Sequence, residues 1–185
     1  SARGIGRAMA QALVARGYAV VVTDINEAAA AQTAAEIGAV IGLAHDVRDA
    51  ARHREVAAVA AEHGTVNVWV NNAGLARHRW IPDYTEAEID LMLDVNLKGT
   101  ILGSQAALRA MIPHKHGHII NVISTASLRG IPSETVYCAA KWGVRGFTQG
   151  LAEEAAAHRI RVTALLPGGV DTAFWDDAST RQAPT

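Results

Sequence analysis

The sequence is poor in the features that mark several classes of protein. Its one cysteine, Cys138, excludes an intrachain disulfide framework and favours a reducing compartment. Lys and Arg number 17 against 18 Asp and Glu, without a basic cluster, so we expect no nucleic-acid partner. No apolar run reaches the roughly 20 residues of a membrane-spanning helix, so we expect no membrane partner. These absences favour a cytoplasmic protein that acts on small molecules.

The order of the predicted elements indicates the fold class. A chain of 185 residues, half of them apolar, is long enough for one substantial core, so we treat residues 1–185 as a single domain. Strand and helix patterns alternate from residue 18 onward. Because parallel strands need crossover helices, this alternation predicts a three-layer α/β/α fold around a doubly wound parallel sheet. The predicted strands are 18–24, 39–47, 66–74, 116–124 and 160–169, and the predicted helices after residue 18 are 26–38, 51–64, 86–111 and 134–158.

Two glycines lie at the start of an amphipathic segment near the N-terminus. Gly4-Ile5-Gly6 has the layout of a phosphate-binding turn at a helix start, although an ordinary helix start has the same pattern. Asp24 ends the next predicted strand, 18 residues after Gly6. An acidic residue about 20 residues beyond such a turn hydrogen-bonds the adenosine ribose of a dinucleotide. Asp24 also fits a helix start at which Asn26 is the cap, and the two roles are compatible.

A more specific set of polar residues follows. Tyr137 and Lys141 in the segment YCAAK are four residues apart in a predicted helix, so they share one face. Ser124 ends the preceding predicted strand. The carboxyl ends of parallel strands open onto the ligand crevice of a doubly wound sheet. We therefore expect three polar side chains to meet at one site.

Together these segments resemble the short-chain dehydrogenase/reductase family. SARGIG matches the end of the family's glycine-rich turn, NNAG (71–74) its strand-end motif, Ser124 with YCAAK its catalytic set, and PGGVDT (167–172) a later motif. Thr163 stands where many members have Asn. The resemblance implies a Rossmann-like fold, incomplete at both ends, that lacks the first strand and the Thr-Gly before Ser1. We expect these 185 residues alone to fold poorly and bind NAD weakly, because the neighbours of that strand have unpaired backbone groups.

The resemblance assigns a role to each member of the catalytic set. Tyr137 would be the general acid/base that exchanges a proton with the substrate oxygen. Lys141 would bind the nicotinamide ribose and supply an ammonium that favours the phenolate. Ser124 would donate a hydrogen bond to the substrate oxygen, with an ordinary turn serine as the alternative. Asn96 matches the fourth catalytic position, which helps to hold a water that relays protons to the lysine; an Asn that kinks a helix is the alternative.

The resemblance also implies a dinucleotide cofactor. The Asp24 carboxylate would bind both ribose hydroxyls and repel a 2′-phosphate, which favours NAD, whereas Arg3 would offset part of that repulsion and favour NADP. A helix cap is the alternative role for the segment that begins at Asp46. The residues that match the family's cofactor contacts are Arg3, Gly4, Ile5, Gly6, Asp24, Asp46, Val47, Asn72, Ala73, Gly74, Tyr137, Lys141, Pro167, Gly168, Val170 and Thr172.

The resemblance implies an oxidoreductase that transfers hydride between NAD(H) and a secondary alcohol or ketone. A non-catalytic dinucleotide sensor or scaffold and an inactive truncated fragment are the alternatives. A homodimer or homotetramer formed through the two long helices is also implied. We expect no metal site, because the histidines of HKHGH (114–118) lie beside a glycine in a predicted surface turn. Trp175 would close over a substrate, or else belong to the core or an interface.

Overall fold

The computed structural model of the chain describes residues 1–172 and 174. Helices and strands alternate in this part of the chain, and none of its helices is long and apolar enough to span a membrane. The strands are β1 (Val21–Asp24), β2 (Ile41–Ala44), β3 (Val68–Asn71), β4 (Gly117–Val122) and β5 (Ile160–Leu165). The helices are α1 (Gly4–Val14), α2 (Glu27–Ile37), α3 (Ala50–Glu62), α4 (Glu86–Leu93), α5 (Gly99–Met111) and α6 (Thr135–Ala156).

Local sequence signals set several of the helix ends. Asn26 caps α2 by accepting a hydrogen bond from a backbone N–H in the first turn, and Gly38 ends that helix with a left-handed φ of 75°, both as the sequence predicts. Asp49 caps the start of α3. Thr85 and Glu88 form a capping box at the start of α4. These caps fix where each helix begins or ends relative to the strands beside it.

One predicted helix is divided in the structure. The sequence predicts a single helix over 86–111, but a π turn at Asp94–Lys98 separates α4 from α5. Asn96 lies in this turn and donates a hydrogen bond to the carbonyl of Met92, four residues earlier, at 2.9 Å. This bond competes with the backbone hydrogen bonds of the helix, which explains the local change of helix type.

Two parallel sheets form the middle layer of the fold. β1 pairs with β2, and Asp24 lies opposite Ala44. β4 lies between β3 and β5, and Asn71 of β3 lies opposite Asn121 of β4. Every described strand pairing is parallel, and helices connect the strands, so the predicted α/β fold class is confirmed.

The two sheets are separated by an open space. Within residues 1–172 and 174, no strand pairs with the second edge of β1 or with the second edge of β3. Both of these edges border one cavity of about 1340 Å³. The backbone groups along such edges lack the hydrogen bonds that a neighbouring strand supplies.

The main hydrophobic core supports β3 and β4 beneath the carboxyl ends of the strands. Met111 of α5 and Ile119 of β4 are fully buried, and Trp69 of β3 packs in the same cluster. Val56 of α3 and Leu151 of α6 complete it from the two helices. Full burial of an apolar side chain of this size stabilises a fold by about 1.5–3 kcal/mol, so the cluster holds the strand ends firmly in place.

Candidate active site

The polar residues identified from the sequence meet at the carboxyl ends of the strands. Asp24 ends β1, Asn72 follows β3 and Ser124 lies beyond the end of β4, and all three line the cavity between the sheets. Tyr137 and Lys141 line the same cavity from α6. All the residues that match the family's cofactor contacts border this cavity as well. The crevice outside the strand ends is where doubly wound sheets bind ligands.

The glycine turn is shaped to admit a ligand. Gly4 has a φ of 55°, in the left-handed region that favours glycine. A Cβ on Gly6 would lie 2.7 Å from Nδ2 of Asn72, so the missing side chain allows the start of α1 to approach the end of β3. α1 begins at this turn, and a helix N-terminus attracts anionic groups such as phosphate. An ordinary helix start requires neither glycine.

Asp24 holds the N-terminal segment against the end of β1. Its Oδ2 accepts hydrogen bonds from the Ser1 amino group and the Ala2 N–H, each at 3.1 Å, and its Oδ1 accepts one from the Asn26 N–H at 3.1 Å. Burial raises the pKa of Asp24, but the backbone hydrogen bonds from Asn26 and Ala2 hold this pKa below its usual value. The carboxylate is therefore ionised at neutral pH and able to accept hydrogen bonds from hydroxyl groups.

The segment after β2 is braced by its neighbours. Asp46 forms an ion pair with Arg48, with an oxygen to nitrogen distance of 2.6 Å. The Val47 carbonyl accepts a hydrogen bond from Nε2 of His53 at 2.8 Å. The helix cap considered as an alternative for this segment is supplied by Asp49. Asp46 and Val47 are thus held at the cavity wall by other side chains, not by a capping role.

The structure brings Ser124, Tyr137 and Lys141 together. Ser124 lies near enough to Tyr137 to lower the pKa of its phenol in part, and both side chains line the cavity. Lys141 Nζ lies 5.5 Å from the centre of the Tyr137 ring and donates a hydrogen bond to the Val122 carbonyl at 3.3 Å. Ser124 Oγ also accepts a hydrogen bond from the Ala126 N–H at 3.1 Å, so its turn role coexists with its place in the site. One phenol, one amine and one hydroxyl therefore meet at the cavity wall.

Burial disfavours the charged forms of both Tyr137 and Lys141. It raises the pKa of Tyr137 to about 12, although the neighbouring Ser124 lowers this pKa in part. It lowers the pKa of Lys141 to about 8. An ammonium beside a phenol favours the phenolate, and the phenolate in turn favours the ammonium. Proton transfer by Tyr137 near neutral pH would therefore depend on Lys141 and on any further positive charge in the cavity.

Asn96 connects the π turn to the loop after β3 and does not line the cavity. Its Nδ2 donates to the Leu75 carbonyl at 2.8 Å, and its Oδ1 accepts from the Leu75 N–H at 3.3 Å. A Cβ on Gly74 would lie 2.9 Å from this Oδ1 and 3.5 Å from Nζ of Lys141. Asn96 therefore alters the helix locally, as the helix-kink interpretation expects. It also lies directly behind the loop beside Lys141.

The segment after β5 closes another side of the cavity. A Cβ on Gly4 would lie 3.4 Å from Cβ of Thr172, so this segment contacts the glycine turn. The ring centre of Phe174 lies 6.4 Å from that of Tyr137. The segment therefore extends from the glycine turn to the catalytic set. Trp175, with its expected role over the substrate, lies outside the described residues.

Sequence reasoning missed a buried polar network behind the site. Nδ2 of Asn71 donates hydrogen bonds to Oδ1 of Asn121 at 2.8 Å and to Oγ of Ser104 at 3.0 Å. Oδ1 of Asn71 accepts one from Nε1 of Trp69 at 2.9 Å, and Asn121 donates one to Thr148 at 2.9 Å. The available signal was an Asn near the end of each of two apolar strands. Only the register of β3 against β4 shows that these amides pair.

The histidine-rich segment at 114–118 runs into β4, within the strand predicted at 116–124. His118 therefore belongs to this strand and not to the surface turn expected for the histidines, and its Nε2 lies 2.8 Å from Oγ1 of Thr163 on β5. Thr163 is the residue that departs from the family pattern, and this contact gives it a local partner. Among the residues that the structure describes, no three His, Cys, Asp or Glu side chains lie close enough together to hold a metal ion.

The chain matches known proteins along nearly its whole length. The short chain dehydrogenase family model matches residues 1–183. Sorbitol dehydrogenase of Cereibacter sphaeroides is 42% identical over 99% of this chain and 73% of that protein. D-threitol dehydrogenase of Mycolicibacterium smegmatis is 37% identical over 100% of this chain and 76% of that protein. The crystal structure of sorbitol-6-phosphate 2-dehydrogenase of Erwinia amylovora superposes with a TM-score of 0.85 at 31% identity, over 89% of this chain and 68% of that one.

The three-layer α/β/α fold, with the glycine turn at a helix start and Tyr137 beside Lys141, is that of a class of oxidoreductases. Within that class, the chain belongs to the short-chain dehydrogenase family. Members of this family use NAD or NADP. The family predicted from the sequence motifs is thereby confirmed.

Proposed function

We propose that the protein oxidises a secondary alcohol, or reduces the corresponding ketone, with NAD(H) as the hydride carrier. The observation that carries this proposal is the convergence of Ser124, Tyr137 and Lys141 on a cavity that also contains the glycine turn. Family membership supports the reaction type. The sorbitol and D-threitol dehydrogenases among the relatives support a small-molecule alcohol as the substrate.

The cavity wall suits each part of the cofactor. Gly4 and Gly6 at the start of α1 would hold the pyrophosphate, since Gly4 takes a left-handed φ, Gly6 has no room for a side chain and the turn presents a helix N-terminus. The ionised Asp24 would accept hydrogen bonds from the adenosine ribose. Lys141 would donate to the nicotinamide ribose. When bound, NAD accepts a hydride from the substrate carbon, or NADH supplies one.

The side chains of the catalytic set transfer the proton of the substrate oxygen and stabilise the charge on that oxygen. In oxidation the Tyr137 phenolate takes the hydroxyl proton, and in reduction the Tyr137 phenol returns it. Ser124 donates a hydrogen bond to the same oxygen and stabilises negative charge there. Lys141 favours the phenolate through its positive charge. Asn96 positions the loop beside Lys141 through its two hydrogen bonds with Leu75.

The test of this function is a coupled screen of secondary alcohols and ketones with the full protein, followed through the absorbance of NADH. We expect oxidation of at least one small secondary alcohol with NAD, and reduction of the matching ketone with NADH. A protein that binds NADH and converts no alcohol or ketone in the screen would instead be the non-catalytic dinucleotide sensor.

Replacing Lys141 with Met should move the pH dependence of alcohol oxidation to higher pH. Oxidation needs the Tyr137 phenolate, so its kcat/KM rises as pH rises through the apparent pKa of the tyrosine. Removing the ammonium raises that pKa, because a neighbouring cation no longer favours the phenolate. The measurement is kcat/KM for oxidation across a pH series. Lys98→Met, at an exposed lysine paired with Asp94, is the matched control and should leave the profile in place; an unmoved profile in Lys141→Met would contradict this role.

Replacing Asp24 with Ser should shift the cofactor preference from NAD towards NADP. Hydrogen bonds to a charged acceptor are worth about 1.5–3 kcal/mol, so kcat/KM with NAD should fall about 10- to 100-fold. With NADP it should rise, because the carboxylate no longer repels the 2′-phosphate and Arg3 attracts it. Initial rates with both cofactors measure the ratio. Asp90→Asn, at an exposed position of α4, should leave the ratio unchanged. A wild-type protein that prefers NADP would overturn the choice of NAD.

We also propose that the chain assembles into a homodimer or homotetramer through α5 and α6. Trp142 of α6 is 48% exposed and Ile101 of α5 is 38% exposed, so each of these helices presents a large apolar side chain to its surroundings. Covering them in an interface would remove this apolar surface from water. Light scattering should give the mass of a dimer or a tetramer, and the mass of a monomer would contradict the proposal.

A further inference from the structure

A buried carboxylate that the proposed mechanism does not use lies in the catalytic cavity. Glu134 directly precedes α6 and lines the cavity together with Tyr137. Glu134 and Tyr137 are three residues apart, a spacing that places side chains on the same face of a helix. Along α6, Tyr137 lies between Lys141 and Glu134. Because Lys141 marks the ribose side of the site in the proposed function, Glu134 marks the opposite, substrate side.

Among residues 1–172 and 174, the side chain of His78 contacts this carboxylate. Oε1 of Glu134 lies 3.2 Å from Nε2 of His78, and the two side chains are only 13% and 3% exposed. Burial raises the pKa of Glu134, and the neighbouring His78 opposes that shift. A carboxylate accepts up to about four hydrogen bonds through its two oxygens. The contact with one imidazole nitrogen therefore leaves acceptor capacity at the cavity wall.

The backbone beside Glu134 is held firmly. Ser133 has a φ of 62°, in the left-handed region that a residue with a side chain adopts only where its surroundings impose it. Its carbonyl accepts hydrogen bonds from the Arg79 N–H at 2.9 Å and from the Tyr84 hydroxyl at 3.3 Å. The loop that carries His78 thus fixes both the backbone and the carboxylate of this segment. The position of Glu134 in the cavity wall is therefore fixed by the segments around it.

We propose that Glu134, supported by His78, binds the hydroxyl groups of a polyol substrate beyond the carbon that is oxidised. This inference rests on the proposed function and specifies its substrate class as a neutral, polyhydroxylated carbon chain. Hydroxyl groups donate hydrogen bonds to a carboxylate, whereas an apolar substrate would displace water from the carboxylate and supply no hydrogen bond in its place. A phosphate or carboxylate group on the substrate would be repelled. Ser124 and Tyr137 bind the reacting oxygen, and Glu134 binds the hydroxyls next to it.

The test compares polyols with a simple alcohol in the full protein. Glu134→Gln keeps the size of the side chain and removes its charge. At the pH-independent plateau, we expect kcat/KM for sorbitol and D-threitol to fall about 10- to 100-fold and that for cyclohexanol to change by less than about twofold, as the loss of hydrogen bonds to a charged acceptor predicts. The pH profile of cyclohexanol oxidation should also move to lower pH, because the carboxylate raises the pKa of Tyr137. Glu154→Gln, at an exposed position of α6, is the matched control and should change neither.

Two kinetic outcomes would overturn the inference: equal losses with polyols and cyclohexanol, which indicate a structural role, or no loss with polyols. A binding measurement separates this inference from the proposed function. In a Tyr137→Phe background with NAD present, ligand-observed NMR should detect sorbitol binding, and Glu134→Gln should weaken it by the same factor as in the kinetics. If the wild type oxidises no alcohol, the proposed function fails, but binding that depends on Glu134 still supports the polyol site. Sorbitol binding that Glu134→Gln leaves unchanged, or the absence of sorbitol binding, overturns the inference of a polyol site.

Discussion

Replacing Tyr137 with Phe should lower kcat for alcohol oxidation and for ketone reduction by at least about 1000-fold, within the range that general acid/base groups contribute. The change removes one hydroxyl and keeps the ring, which packs beside Phe174 at 6.4 Å between ring centres and beside Lys141 Nζ at 5.5 Å. We therefore expect the variant to fold normally and to bind NADH as the wild type does, as fluorescence titration will show. The loss would then lie in proton transfer.

The same variant tests the sign of the pH dependence. In the wild type, oxidation should rise and reduction should fall as pH increases, because the first needs the phenolate and the second the phenol. Neither the rise of oxidation with pH nor the fall of reduction with pH should remain in Tyr137→Phe. Tyr18→Phe, at a tyrosine that is 42% exposed, is the matched control and should keep full turnover. Turnover retained in Tyr137→Phe would remove this residue from the mechanism.

Replacing Gly103 with Ala should lower the free energy of unfolding by about 3 kcal/mol, combining the cost of overpacking with that of a disrupted buried hydrogen bond. A Cβ at this position of α5 would lie 2.2 Å from Oδ1 of Asn71 and 3.2 Å from Cε1 of His53. Asn71 cannot simply move aside, because its amide donates to Ser104 and Asn121 in the buried network. Either α5 moves away from β3 or the network loses hydrogen bonds.

The Gly103→Ala variant should also bind NADH more weakly, because the network anchors the strand end that leads into the NNAG loop. Chemical denaturation and fluorescence titration measure the two effects. Gly150→Ala on α6 is the matched control, since Gly150 is exposed and has no atom within 4 Å of the added Cβ. It should stabilise the protein by up to about 1 kcal/mol through helix propensity. Equal stability of Gly103→Ala and the wild type would show that α5 adapts without cost.

Most of the fold could be predicted because its signals are local. The apolar runs of the strands, the Asn26 cap and the Gly38 helix end each depend on a few consecutive residues. The π turn could not be predicted from the helical pattern. It depends on the bonds of Asn96 with Leu75, a residue of a separate loop, as well as with Met92.

The candidate site was predicted as far as the family motifs extend. They include the glycine turn, Asp24 and the catalytic set, and the structure places these groups around one cavity. The pair of His78 and Glu134 falls in no motif, and neither residue type indicates a contact across such a distance in the chain. The pairing of Asn71 with Asn121 needed the register between two strands, which periodic patterns do not specify.

By itself, the sequence determined the family, the alternation of elements and the chemical identity of Ser124, Tyr137 and Lys141, because motif spacing and helix periodicity are properties of the chain alone. The tertiary structure alone decided which charges are buried and which groups face them. Burial raises the pKa of Tyr137 to about 12 and lowers that of Lys141 to about 8. Folding also brings the carboxylate of Glu134 beside His78. These effects depend on all the segments that pack around a group and exclude water from it. Segments that are distant in the sequence come together around a group only when the chain folds.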